Sequence, residues 1–339
     1  MKKTSNRWLF PAVALLALTA STQGLFGQNG SSDGQIEIVP VRGNIYMLAG
    51  AGANITVSVG PDGVLLVDAG RAEMSDKVLA AIKQLNHEVN TKLHAQAATT
   101  PPKPIRYIAN TNPFPDHTGG NEKIAATGKT FTGGNVIGDL GDATEGAAIL
   151  SHENLLHRLS DAKVATAGLP TETFFGSVMK LSHFFNNEGV ELIHVPNAVT
   201  DGDSIVYFRG ADVISAGDIF TMESYPVIDL ARGGSVQGVL AGLNRMLDMV
   251  IAEFRSEGGT FVVPGHGRIC DTADLAYYRD MVTIVRDRVQ NMIKKDMTLA
   301  QIKAAKPTED WDPRFGKTTG AWTTDMFVEA VYRSLIGKK

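Results

Sequence analysis

Thr111-Asn112-Pro113-Phe114-Pro115-Asp116-His117-Thr118-Gly119-Gly120-Asn121 follows directly on the β-rich run Ile105-Arg106-Tyr107-Ile108-Ala109-Asn110. That run reads as a strand, and it delivers an acid–imidazole pair and two glycines at its C-terminal end. Working outward, Val64-Leu65-Leu66-Val67 reads as a second buried strand that stops at Asp68-Ala69-Gly70. Upstream, residues 36–39, 45–48 and 55–59 are strand-like runs parted by Gly and Asn turns, with Pro61-Asp62-Gly63 as a tight turn. Between the two buried strands, residues 75–85 form a helix with Val78, Leu79, Ile82 and Leu85 on one face. Residues 86–104 are polar and rich in Pro, Ala and Thr, and read as a loop or frayed helix end.

A second, similar set follows. Residues 190–195, 204–208 and 212–216 read as strands, a helix spans 236–254, and 260–263 is another strand. Helices near 273–294 and 323–336 close the chain. Strands alternating with helices in two successive sets predict an α/β fold, a four-layer αβ/βα sandwich of two similar halves. Residues 137–180 fit neither set and read as a helical insertion over the site.

Five separated segments then match one pattern. Val67-Asp68-Ala69-Gly70, the stretch 111–121, Pro196-Asn197-Ala198-Val199-Thr200-Asp201-Gly202-Asp203, Ser215-Ala216-Gly217-Asp218 and Val263-Pro264-Gly265-His266-Gly267 come in order along almost the whole chain. Together they resemble the motif blocks of the metallo-β-lactamase superfamily, whose second block is T-H-x-H-x-D-H-x-G-G. The resemblance implies two adjacent metal sites. Its tri-histidine site falls here on Asn112, Phe114 and Val199, of which none offers an imidazole. Its other site falls on Asp116, His117 and His266 with Asp218 completing the set, and all four are present. The losses thus fall in one site and spare the other. A lactamase subclass that works with the Asp–His site alone also carries Asn at the position of Asn112, but it keeps histidines where this chain has Phe114 and Val199.

What the resemblance implies for function divides in two. The first expectation is a metal-dependent hydrolase of an ester, thioester or amide-type bond, with one ion, water as nucleophile and Asp116 as candidate base. Oxygen and imidazole ligands suit zinc, with iron or manganese as alternatives. The other is a catalytically silent homologue acting as a binding or scaffold protein. Asp68 reads as a hydrogen-bonding support for the metal loop, or as a strand-end turn former. Asp201 and Asp203 flank Gly202 in what reads equally as a tight turn. Cys270 faces the pocket or fills the core. His152, His157, His183 and His194 stand at no ligand position of the family. Arg232 follows the Asp218 strand and is a candidate for contacting an anionic group of the substrate.

Composition sets the bounds. Lys2, Lys3 and Arg7 precede an apolar run over 8–20, the order of a secretory signal peptide covering residues 1–27, too short to span a bilayer. The expectation is a periplasmic or secreted protein with no integral membrane segment once cleaved, leaving one domain over 28–339. Removing those three charges moves the formal charge from −4 to −7, which argues against nucleic acid as partner and leaves a small-molecule substrate or ligand. A single cysteine excludes an internal disulfide, so a 43% hydrophobic chain must rely on its core. Oligomeric state is not legible.

Overall fold

Two hydrogen-bonded sheets face one another, and the residue alternation along each strand explains why. The structure is a computed structural model that describes residues 34–93, 103–130, 144–181, 185–252 and 258–337. The expected signal peptide lies outside them, as does His183. The first sheet contains β1 (Glu37–Arg42), β2 (Ile45–Ala51), β3 (Ala53–Gly60), β4 (Gly63–Val67) and β5 (Ile105–Ala109). After a short ribbon, β6 (Lys129–Thr130) with β7 (Thr144–Glu145), it is completed by β8 (Ala148–His152) and β9 (Glu172–Phe174). Its order is β1-β2-β3-β4-β5-β8-β9. The second sheet runs β10 (Val178–Lys180), β11 (Val190–His194), β12 (Ser204–Phe208), β13 (Val213–Ser215) and β14 (Phe261–Val263) in sequence order.

Each sheet begins antiparallel and ends parallel. β4, β5, β8 and β9 pair in parallel, as do β13 and β14. A parallel neighbour needs a crossover, usually a helix. Helices lie in each of them: α1 (Ser75–Leu93) between β4 and β5, α2 (Pro115–Thr118) and α3 (Asn121–Ala126) between β5 and β8, α4 (Glu153–Asp161) between β8 and β9, and α5 (Val236–Met249) between β13 and β14. The chain ends with α6 (Thr272–Lys294), α7 (Leu299–Ala304), α8 (Asp312–Phe315) and α9 (Thr324–Leu335).

Three apolar clusters separate four layers. Leu65 and Val67 point into the cluster between the sheets with Leu192, Val206, Val213 and Val263. Their neighbours Val64 and Leu66 point the other way, onto Val78, Ile82 and Leu85 of α1. Ile205, Ile214 and Val262 likewise turn outward onto α5, α6 and α9. Alternation with period two thus gives every central strand two buried faces, and helices must cover both outer ones. The result is the expected αβ/βα sandwich.

Two expectations are corrected. The segment 137–180 is not a helical insertion: where described, it holds α4 but also β8 and β9, which extend the first sheet. All five residues of β8 are buried, so it lacks the alternation that marks a strand, and the Leu155/Leu159 helical period follows it at once. The helix expected over 236–254 ends at Met249. By contrast α1 runs on to Leu93 through the stretch read as a loop or frayed end.

The ends of β8 and β11 meet through a histidine pair. The His152 and His194 rings stack at 3.5 Å between centroids, 9° from parallel. His152 Nδ1 accepts from Asn154 N at 3.2 Å and caps α4, while His194 Nε2 donates to the Asp201 carbonyl at 2.9 Å. Burial and the facing His194 lower the His152 pKa, against smaller opposing pulls from the Phe175 backbone, Glu153 and Asp201. A lowered histidine favours the neutral ring in the fold, so its stabilisation is full above the ordinary value and erodes as pH falls through it. The contribution of His152, read as the difference in urea midpoint from His152→Phe, which keeps a stacking ring without a titrating group, is therefore expected to fall between about pH 7 and 5.

Candidate metal centre

The chemistry-bearing side chains sit where the parallel strands stop, at the C-terminal ends of β4, β5, β13 and β14. Asp68 leaves β4 with φ of 67°, a left-handed turn that swings its carboxylate under the next loop. Its Oδ1 accepts from Thr111 N at 2.8 Å, and its Oδ2 accepts from Thr111 Oγ1 and His117 Nδ1, each at 2.7 Å. Asp116 and His117 lie on the single turn α2, which Pro115 opens. Asp218 follows β13 in a 3-10 turn, and His266 follows β14. Gly265 is required there: a Cβ would stand 2.2 Å from Asp218 Oδ1. Gly217 adopts φ of 52° with Thr111 against it, which favours glycine again.

Asp116, His117 and His266 each present a ligand atom within 4.8 Å of the others. Asp218 closes the group, its Oδ2 lying 3.1 Å from His117 Nε2 and its Oδ1 3.3 Å from His266 Nε2. Asp116 Oδ2 stands 3.5 Å from His266 Nε2. A tetrahedral ion with bonds of about 2.0–2.1 Å holds its ligand atoms about 3.3 Å apart, so the spacing fits a small divalent cation. Two buried atoms, His117 Nε2 and Asp218 Oδ1, have no hydrogen-bond partner, although the first lies 3.1 Å from Asp218 Oδ2 and the second 3.3 Å from His266 Nε2. Buried polar atoms are rarely left so. Because Asp68 engages Nδ1, the neutral His117 ring turns its Nε2 lone pair to the same point.

Without an ion, the carboxylates favour the charged imidazoles. Burial opposes charge on His117, but Asp218 and Asp68 outweigh it and raise its pKa well above the ordinary value. Burial also opposes ionisation of Asp218, yet His117 and His266 hold it well below the carboxylate range. His266 is raised in the same way, chiefly by Asp218 working against burial. Asp68, Asp116 and Asp218 together make a cluster that draws positive charge.

The three departures from the histidine pattern are built into the structure. Asn112 is buried, and its Oδ1 accepts from Phe114 N at 2.9 Å. Val199 is fully buried in the outer apolar cluster with Val236 and Val239. Phe114 packs against that cluster and forms a wall of the cavity over the site. Among the described residues, the Asp116–His117–His266 group is the one set of His, Cys, Asp and Glu placed to hold an ion.

The cavity measures about 310 Å³ and exposes Asp116, Asp218 and His266 between Phe114, Val227 and Trp322, with Lys317 and Glu223 at its polar side. Arg232 is not in its lining; its guanidinium pairs with Asp229 at 2.6 Å on the exposed surface. Asp203 is a turn former, accepting from Thr200 N at 2.6 Å, and burial raises its pKa. Asp201 takes a two-pronged contact from Arg158, at 3.0 and 2.5 Å, which ties α4 to this loop. Cys270 is buried in the apolar cluster, and burial pushes its thiol well up, away from reactivity.

Sequence reading missed the clamp on the His266 loop. Asn54 donates from Nδ2 to the carbonyls of Pro264 and Gly267, both at 2.9 Å, and its backbone N donates to Gly265 O at 2.8 Å. An amide inside the apolar run of β3 was the available signal. Asn54→Ala is expected to weaken metal affinity about 10–100-fold, the usual range for residues that orient ligands. Chelator competition measures it. Asn110 and Asn121, which exchange Nδ2-to-Oδ1 hydrogen bonds of 3.1 and 2.7 Å behind the same loop, were also missed.

A two-sheet sandwich with an Asp/His cluster at its strand ends defines a class of metal-binding, hydrolase-type folds. The family model of the metallo-beta-lactamase superfamily matches residues 49–266, and the chain belongs to that superfamily. No curated protein matches it in sequence. Among solved structures, the metallo-beta-lactamase from Pontibacter korlensis aligns at 14% identity and a TM-score of 0.51, over 74% of this chain and 99% of that one. The DIM-1 metallo-beta-lactamase aligns at 14% identity and a TM-score of 0.52, over 74% and 97%. The stereoselective inverting sec-alkylsulfatase Pisa1 from Pseudomonas sp. gives 16% identity and a TM-score of 0.60, over 89% of this chain and 50% of that one. Identities this low carry the fold alone.

Proposed function

We propose that the protein is a single-metal hydrolase whose ion is held by Asp116, His117, Asp218 and His266. The observation that carries this is the convergence of those four side chains with His117 Nε2 and Asp218 Oδ1 buried and unpartnered. Two imidazoles and two carboxylates suit zinc, then iron or manganese. When bound, a divalent ion supplies Lewis acidity and lowers the pKa of water for attack on an ester, thioester or amide carbonyl. Asp68 fixes the His117 ring. Asp116, half-buried on the cavity side, is the candidate base on condition that its carboxylate binds the ion weakly. Phe114, Val227 and Trp322 shield the reacting region from bulk water. The basic-then-apolar N-terminus makes export part of the proposal; no described helix is long and apolar enough to cross a membrane.

One observation favours a second reading. Phe114 and Val199 fill what the two-metal pattern leaves open, and such filling also suits a silent ligand-binding protein. Turnover separates the two. Zinc-reconstituted protein should hydrolyse p-nitrophenyl acetate or butyrate above background. Activity should vanish on chelation and in His266→Ala. Metal binding without turnover of esters, thioesters or lactams selects the silent reading.

A further inference from the structure

The cavity over the site does not stand alone. A second cavity of about 560 Å³ is lined by Val227, Ile228, Leu230, Met326 and Ala330, and it shares Phe114, Val227 and Trp322 with the first. Those three side chains line both, so the groove adjoins the space beside Asp116 and His266. The α9 helix builds the far side. Phe327, Val328 and Val331 pack into the core, while Met326, Ala330 and Arg333, at i, i+4 and i+7, line the groove as one stripe.

The groove's charges are spent within the protein. Asp229 pairs with Arg232 at 2.6 Å, and Glu329 pairs with Lys303 at 2.9 Å and with Arg333 at 2.7 Å. What remains for a ligand is apolar: Phe114, Ile228, Leu230, Met326, Ala330 and the Trp322 ring. Trp322 Nε1 has no hydrogen-bond partner but is itself buried, so an anionic or sugar-like group finds no free charge along the groove. An alkyl chain needs none.

We infer that this groove receives the apolar chain of the substrate, an ester or thioester of a medium- to long-chain acid whose carbonyl lies at the Asp116–His266 end. The chemistry rests on the hydrolase reading; the binding does not. Hydrolysis adds the oxygen of water to the acyl carbon and breaks the acyl C–O or C–S bond. One water proton passes to the departing alcohol or thiol. The fatty acid leaves with its tail in the groove.

The test uses the metal-loaded full chain with p-nitrophenyl acetate, butyrate, hexanoate, octanoate and decanoate, and calorimetric titration with the free carboxylates of the same lengths. Specificity (kcat/KM) and carboxylate affinity should both climb by about fourfold per methylene until the groove is full. Met326 is 43% exposed, so Met326→Glu sets a charge in the groove without disturbing the core. It should flatten both dependences by at least about tenfold at decanoate, and Met326→Leu should keep them. Chain-length-dependent binding without turnover supports the groove and removes only the hydrolase reading. Turnover with no length dependence, alongside equal carboxylate affinities, overturns the groove and leaves the hydrolase standing. A Met326→Glu variant that changes only the sedimenting mass also overturns it, by making this face a contact between copies.

Discussion

His117→Ala should abolish metal retention and lower stability by about 3–5 kcal/mol, the range for removing one partner from a buried charged cluster. The physical reason is what remains. Asp68 and Asp218 are only 2% and 7% exposed, and both face the ring that would be lost. Asp68 would keep only its Thr111 hydrogen bonds and Asp218, on the cavity lining, only His266, so the cluster would hold unbalanced negative charge. Urea unfolding with and without added zinc measures both effects. In the wild type, zinc at a hundredfold excess over Kd should add about 2.7 kcal/mol, whereas the variant should gain nothing. A variant that still gains stability from zinc would remove His117 from the proposed ligand set.

The combined variant Asn112→His, Phe114→His, Val199→His is expected to lose on the order of 3–5 kcal/mol and to gain no second ion. Val199 is fully buried among Val236, Val239 and Ile228, so an imidazole there is both oversized and without a hydrogen-bond partner. Asn112→His also removes the acceptor of the Phe114 N hydrogen bond at 2.9 Å, and Phe114→His empties an aromatic wall of the cavity. Elemental analysis and unfolding of the same preparation report the two effects together. Two ions per chain at unaltered stability would mean that the neighbouring site persists and lacks only its ligands.

The sandwich was legible in sequence because its central strands are β-rich apolar runs parted by turn residues, with helices between them. Leu65 and Val67 face one cluster while Val64 and Leu66 face the other, and turns at Gly and Asp residues mark the ends. β8 escaped because a helix follows it without a break, and β9 because three residues, two of them exposed, are too few to show a period. The residues at the strand ends were legible through the resemblance of their motif blocks: Asp68, Asp116, His117, Asp218 and His266 come together in space from four separate segments. The Asn54 clamp, the Arg158–Asp201 fork and the His152–His194 stack were not. Each joins residues distant in sequence, and no local pattern announces such a contact. The opposite holds for Arg232: its place in sequence suggested a substrate contact, but Asp229, three residues away, already holds it.

Whether one ion can act without a partner depends first on how many ions bind. Purified, zinc-dialysed protein analysed for metal and chain concentration answers that directly. One equivalent per chain is the expected result, falling to none in Asp116→Ala, His117→Ala or His266→Ala. Two equivalents, or none in the wild type, would contradict a single ion held by Asp116, His117, Asp218 and His266.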